Sequence, residues 1–182
     1  FLPYAQPSLT HRELEEVLEA VRSLWWSRGE KCQRFEEEFA QKVGARYAVS
    51  MNSCTAALEV ALCAYGVSPG DEVITTPMTF CSTANVALHL GARPIFCDID
   101  PQTGLIDPAG IEPLITDKTR AILPVHYGGQ PCDLKEIYAI ADKNGLVVIE
   151  DAAHAAGAFY HGEPIGNCRD AAAFSFYATK NL

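Results

Sequence analysis

The chain has 182 residues, 48% of them hydrophobic and 20% charged, with a formal net charge of -9 at pH 7. That length fits one domain whose core needs neither disulfides nor metals, and the 14 basic residues are scattered, which excludes an evident positive face for nucleic acid. No run approaches the roughly 20 apolar residues of a membrane span, and FLPYAQPSLT lacks the basic and apolar regions of a secretory signal, so a soluble, cytoplasmic protein is expected.

In chain order, Thr10, His11, Arg12 and Glu13 form a capping box. Leu14, Val17, Leu18, Val21 and Leu24 then mark one helical face, which Trp25, Trp26 and Gly29 interrupt. Phe35, Phe39 and Val43 predict a second helix stopped by Gly44. Residues 47–51 read as a strand and 55–65 as a helix ending before Gly66. Strands follow at 72–75, 94–97, 121–125 and 146–149, with helices at 82–90, near 111–115 and at 134–143. A last strand is expected over 171–176. Short apolar strands spaced by helices predict an α/β fold, with a mostly parallel sheet sandwiched by helices. Seven cysteines, odd in number and never two apart, argue against a disulfide framework or zinc ribbon; most read as small buried hydrophobes in a reducing compartment.

Ligands of open α/β sheets sit beyond the carboxyl ends of the strands, so the residues after each strand carry the candidates. Ser53, Cys54 and Thr55 open a helix whose first amides and dipole favour an anion such as phosphate; the alternative is that Ser53 merely caps it. No G-x-x-x-x-G-K-[ST] or G-x-G-x-x-G occurs. Phe80, at a strand-to-helix turn, can cover a flat ring or pack in the core. Glu150 and Asp151 end an apolar strand, where charge must be paired or solvated. They can bind Mg²⁺, or Asp151 can face a cationic ring nitrogen, with Ala152 and Ala153 letting the ring approach and His154 bonding a substituent. A helix cap at Asp151 with a structurally satisfied His154 is the third possibility. Lys180, five residues past Ser175, is either solvated surface or a desolvated amine nucleophilic toward carbonyls.

One fold rule places these four signals in a single pocket. A phosphate-facing helix start, a ring cover, an acid for a ring nitrogen and an amine for an aldehyde match the features of pyridoxal 5'-phosphate (PLP). No metal is expected in that site. An opposite charge close by favours the protonated ring nitrogen, and one pKa unit is worth about 1.4 kcal/mol.

The sequence resembles the DegT/DnrJ/StrS family of PLP-dependent nucleotide-sugar aminotransferases, of fold type I, across its whole length. The likeness runs through Phe35-Glu36, Ser53-x-Thr55-Ala56-Ala57-Leu58, Gly70-Asp71-Glu72-Val73-Ile74, Thr79-Phe80 and Gly91-Ala92-x-Pro94. It continues in Asp98-Ile99-Asp100 and Val125-His126-Tyr127-Gly128-Gly129. Two motifs carry the most specificity: Glu150-Asp151-Ala152-Ala153-His154-Ala155 and Phe174-Ser175-Phe176-Tyr177-Ala178-Thr179-Lys180-Asn181. The resemblance implies that Lys180 attaches covalently to the cofactor aldehyde and shuttles the proton, Asp151 pairs with the pyridine nitrogen, and His154 lies near the ring hydroxyl. It implies further that Phe80 stacks on the ring opposite Ala153, and that Ser175 and the Cys54 and Thr55 amides hold the phosphate. Cys54 replaces the Gly or other small residue frequent there.

The implied reaction moves an amine from an amino acid, usually glutamate, to a keto group of a nucleotide-linked sugar. FLPYAQPSL and VHYGGQPCDL are similar to enzymes acting on UDP-4-keto sugars. The other reading is a non-catalytic PLP-binding regulator, or an inactive fragment, on the same scaffold. Residues 1–30 are expected to form an N-terminal helix and substrate-loop segment, in which Trp25, Trp26 and Arg28 either shape the sugar site or pack as a loop. Residues 31–182 are expected to form the PLP-binding large domain. Family members are about twice as long, which implies an incomplete sheet lacking a strand between 47–51 and 171–176. A small C-terminal domain and a homodimeric partner are implied as well.

Overall fold

The computed structural model describes residues 8–180. The first seven residues of FLPYAQPSL, and Asn181 of the last motif, lie outside them.

Helix α1 (His11–Arg22) starts in the expected capping box: the Thr10 hydroxyl accepts from the backbone while Glu13 returns to the Thr10 N–H at 2.7 Å. Its apolar stripe of Leu14, Val17, Leu18 and Val21 is exposed, and α1 buries no residue. Ion pairs tie it to α2 (Glu30–Val43), with Lys31 meeting Glu16 and Glu19 and Arg34 meeting Glu16. Gly44 ends α2 in the left-handed conformation. Between the two helices Trp25 and Trp26 are exposed, so the loop does not bury them, and their indole N–H groups donate to the carbonyls of Arg28 and Val21.

The main sheet has five strands: β1 (Glu72–Thr75), β2 (Arg93–Phe96), β3 (Thr119–Ile122), β4 (Val147–Asp151) and β7 (Ala171–Ala173). They lie in the order β2-β1-β3-β4-β7, and every pairing is parallel. Side chains alternate across a strand, and the two faces follow that rule. Val73, Ala121, Leu123 and Ile149 pack with Leu58, Leu62, Val86 and Ala87 of α3 (Cys54–Ala64) and α4 (Ser82–His89). Ile74, Ile122 and Val148 pack on the other face with Ile111, Ile137 and Ala141 of α5 (Pro108–Ile111) and α6 (Leu134–Asn144). Complete burial of one such Leu or Ile side chain contributes about 1.5–3 kcal/mol.

Two expectations need correction, and one element was not predicted. Residues 47–51 form no strand: they have no ladder partner among the described residues, and Tyr47 is 80% exposed. Their order comes from Glu36, which accepts from the N–H and hydroxyl of Ser50 (2.8 and 2.7 Å) while pairing with Arg28 at 2.6 Å. The last strand stops at Ala173 rather than 176, because its ladder ends where β4 ends, at the pair Asp151 and Ala173. A short hairpin, β5 (Phe159–Tyr160) with β6 (Glu163–Pro164), is present though unpredicted. His161 and Gly162 both adopt positive φ (49° and 89°), the geometry of a tight two-residue turn, and only the glycine advertises it.

The sheet direction positions the site. The chain passes from β1 to β2 on one side and returns to β3 on the other, so the connections after β1 and β3 diverge above the strand ends.

Candidate active site

Asp151 is the last residue of β4 and is only 5% exposed. Its two oxygens have different partners: Oδ2 accepts from the Thr83 hydroxyl at 2.8 Å and Oδ1 from the Ala153 N–H at 3.1 Å. Thr83 is itself held by the Thr79 hydroxyl at 2.7 Å, so a hydroxyl pair, Thr83 in the first turn of α4 and Thr79 before it, aims the carboxylate. The backbone of Asp151 is fixed as well, because its N–H donates to the Pro124 carbonyl at 2.9 Å and its carbonyl accepts from the His126 N–H at 3.0 Å.

Glu150, its neighbour, serves the opposite face. His126 Nε2 meets its Oε2 at 3.0 Å and the Tyr138 hydroxyl donates to Oε1, with Glu150 and His126 both buried. Burial and this carboxylate push the Tyr138 hydroxyl's pKa upward, which keeps it a donor. The carboxylates of 150 and 151 therefore do not converge as a Mg²⁺ pair would require.

His154 stands two residues beyond Ala152. Its Nδ1 accepts from the Gly128 N–H at 3.2 Å, and its Nε2 lies 2.9 Å from Lys180 Nζ. Burial first, and then the Lys180 charge, hold its pKa below the ordinary histidine value, with Asp151 opposing.

Helix α3 begins beside these groups. The Ser53 hydroxyl accepts from the Ala56 N–H at 3.1 Å, so Ser53 does cap the helix. The Cys54 and Thr55 amides belong to the first turn, whose N–H groups have no intrahelical acceptor. The Cys54 thiol donates to the Ala173 carbonyl at 3.5 Å, which fastens the helix start to the end of β7. Burial, reinforced by Asp151 and opposed by Lys180, pushes that thiol to about 12, so it stays protonated and unreactive. Ser175 is half-buried just past β7. Phe80, after β1, is 73% exposed, which removes the core alternative and leaves a ring free to meet a ligand.

The structure thus brings Asp151 and Lys180 each into electrostatic reach of both Cys54 and His154, with Ala153 bonded to Asp151 and Thr55 beside Cys54 in the first turn of α3. Phe80 and Ser175 are placed by the chain at the same strand ends, Phe80 after β1 and Ser175 just past β7. Sequence reasoning gave no role to Thr79, Thr83 or Gly128. The spacing of the two threonines, four apart after a strand, was the available signal.

The model of the DegT/DnrJ/EryC1/StrS aminotransferase family matches residues 7–182. The chain belongs to this family. The DegT/DnrJ/EryC1/StrS chain is 56% identical, over all 182 residues and 47% of the relative, to the spore coat polysaccharide biosynthesis protein SpsC of Bacillus subtilis. Its fold matches a putative sugar aminotransferase, Spr1654 of Streptococcus pneumoniae, solved in PMP and PLP forms, at TM-score 0.95 and 34% identity. All of this chain and 49% of the PMP-form chain are covered. DesI, solved in the presence of its TDP-sugar product, matches at TM-score 0.91 and 38% identity, over 98% of this chain and 46% of DesI. The architecture is that of the large domain of fold type I PLP aminotransferases, and the chain spans about half the length of these relatives. Among the described residues no helix is long and apolar enough to cross a membrane.

Proposed function

We propose that the protein of which these residues form the large domain is a PLP-dependent aminotransferase acting on a nucleotide-linked sugar. One observation carries the reading: a buried, pre-aimed carboxylate, Asp151, and a lysine amine, Lys180, meet around His154 where the strands end. The donor set fits PLP. Asp151 offers a nearly buried carboxylate for the pyridine nitrogen, and the first turn of α3 offers amides for the phosphate. When bound, PLP supplies an electron sink for charge developing at the substrate carbon.

The chain's own residues do the rest. Lys180 holds the cofactor and moves a proton to and from the substrate carbon, which a primary amine in its free-base form can do. Asp151, charged and oriented by Thr83 and Ala153, keeps the ring nitrogen protonated. His154 bonds the ring hydroxyl, Phe80 covers the ring opposite Ala153, and Ser175 closes the phosphate site with the Cys54 and Thr55 amides. The amino donor is glutamate and the acceptor a keto sugar on a nucleotide, of the UDP-4-keto class. The sugar-aminotransferase neighbours, DesI with its TDP-sugar product among them, support a nucleotide-sugar acceptor. The working enzyme is a homodimer in the cytoplasm.

The test is turnover. Full-length protein with PLP and glutamate is offered a panel of UDP- and TDP-linked keto sugars, and amino-sugar product is followed by mass. Amination of at least one sugar supports the reading. Tight PLP binding without amination of any sugar, and without 2-oxoglutarate release, leaves a regulator instead.

A further inference from the structure

The connection after β3 does something the proposed reaction does not use. It runs from Pro124 to Cys132 and touches the segment 151–154 at five places. Asp151 is bonded through its N–H and its carbonyl, to Pro124 and His126 respectively. The His154 ring accepts the Gly128 N–H, and the His154 carbonyl closes over Gly129. A Cβ at Gly129 would lie 2.7 Å from that carbonyl oxygen, and Gly129 sits at φ +84°, so only glycine fits without displacing the turn. The Tyr127 ring flanks His154 edge-on, with centroids 6.0 Å apart.

This turn is anchored from below. The Cys132 N–H donates to His126 Nδ1 at 3.1 Å, which puts the His126 ring hydrogen on Nε2, facing Glu150 Oε2 at 3.0 Å. The Tyr138 hydroxyl occupies the other oxygen of Glu150. The Cys132 thiol donates back to the Val125 carbonyl at 3.1 Å, and the Gly129 N–H to the His126 carbonyl at 3.1 Å. Every buried side-chain nitrogen and oxygen of this cluster is matched, the condition under which such networks hold one geometry.

We infer that the Tyr127–Gly129 turn, locked onto the sheet by the buried His126–Glu150–Tyr138 chain, sets the tautomer of His154. With Nδ1 filled by the Gly128 N–H, the neutral ring carries its hydrogen on Nε2, the nitrogen that faces Lys180. Nε2–H then donates toward Lys180 Nζ, 2.9 Å away, instead of accepting from it. His126, Gly128, Gly129 and Glu150 are then positioning residues acting through His154, and Glu150 is accounted for without a metal. What this does for a bound cofactor rests on the function proposed above; the tautomer itself does not.

The experiment uses cofactor-free full-length protein with ¹⁵N-labelled histidine, and reads His154 by long-range ¹H–¹⁵N correlation near neutral pH. The His154 peaks are identified by their loss in His154→Asn. The expected result is one form, with Nδ1 unprotonated and Nε2 protonated. Lys180→Ala leaves that form in place, because Gly128 rather than the lysine dictates it. Gly129→Ala shifts His154 toward an Nδ1-protonated or mixed signal. An Nδ1-protonated ring in the parent, a flip caused by Lys180→Ala, or an unchanged signal in folded Gly129→Ala overturns the inference. Should Gly129→Ala fail to fold, the parent and Lys180→Ala spectra decide it. Since PLP is absent throughout, a transamination assay that fails leaves this result standing, and the converse.

Discussion

Replacing Thr83 by Val removes one hydroxyl at constant shape, and the structure specifies the consequence. The Thr83 side chain is fully buried and its hydroxyl donates to Asp151 Oδ2 at 2.8 Å while receiving that of Thr79 at 2.7 Å. A hydrogen bond to a charged group contributes about 1.5–3 kcal/mol. Asp151 keeps its second anchor, the Ala153 N–H on Oδ1, so the loss falls at the lower end of that range. In the parent the carboxylate is aimed before the ligand arrives; in Thr83→Val part of its ordering is deferred to binding, which weakens affinity. At about 1.4 kcal/mol per decade, the cost is roughly tenfold in PLP dissociation constant. The assay is a PLP titration of cofactor-free full-length protein, followed by absorbance, for Thr83→Val, Thr83→Ser, Asp151→Ala and the Thr83→Val/Asp151→Ala pair. Thr83→Ser restores most of the affinity, and in the Asp151→Ala background Thr83→Val adds nothing. Parent-like affinity in Thr83→Val, or an equal loss with and without Asp151, refutes the reasoning.

Thiol chemistry and pH give two further expectations. Cys63 and Cys81 are exposed and are alkylated first by iodoacetamide in native protein, whereas Cys54, Cys132 and Cys168, each pushed by burial to about 12, are protected until unfolding, as peptide mapping will show. Early labelling of Cys54 would contradict its seat against Ala173. His154 has a depressed pKa in the fold, so the unfolded chain binds the extra proton first as pH falls below the ordinary histidine value. Its contribution to stability is present above that value and is lost on acidification toward the folded one. The melting temperature of parent protein therefore falls more steeply than that of His154→Asn across this window; parallel slopes would show that the shift is absent.

What the sequence revealed follows from the range of the physics. Short apolar runs and glycine stops are local, so β1 is bounded at Glu72 and Thr75 as read, and Gly44 ends α2. Residues 47–51 have a strand's composition, but a strand is completed by a neighbour, and none stands there among the described residues. The rule that ligands gather at strand ends singled out Asp151, which ends β4, together with His154 and Lys180, which follow β4 and β7. Thr83 stayed hidden, since its partner is 68 residues away and its meaning appears only when α4 is laid against β4. Glu150 was misleading for the same reason: adjacent carboxylates look like a pair in sequence, yet the pleat sends them to opposite faces.

The central claim is that Lys180 holds the cofactor while Asp151 maintains its charge, and covalent trapping tests it most directly. Full-length protein loaded with PLP is reduced with borohydride, digested and mapped by mass spectrometry. The account predicts a pyridoxyl adduct on Lys180, absent in Lys180→Ala. An adduct on another lysine, or none in protein that retains PLP, would contradict it.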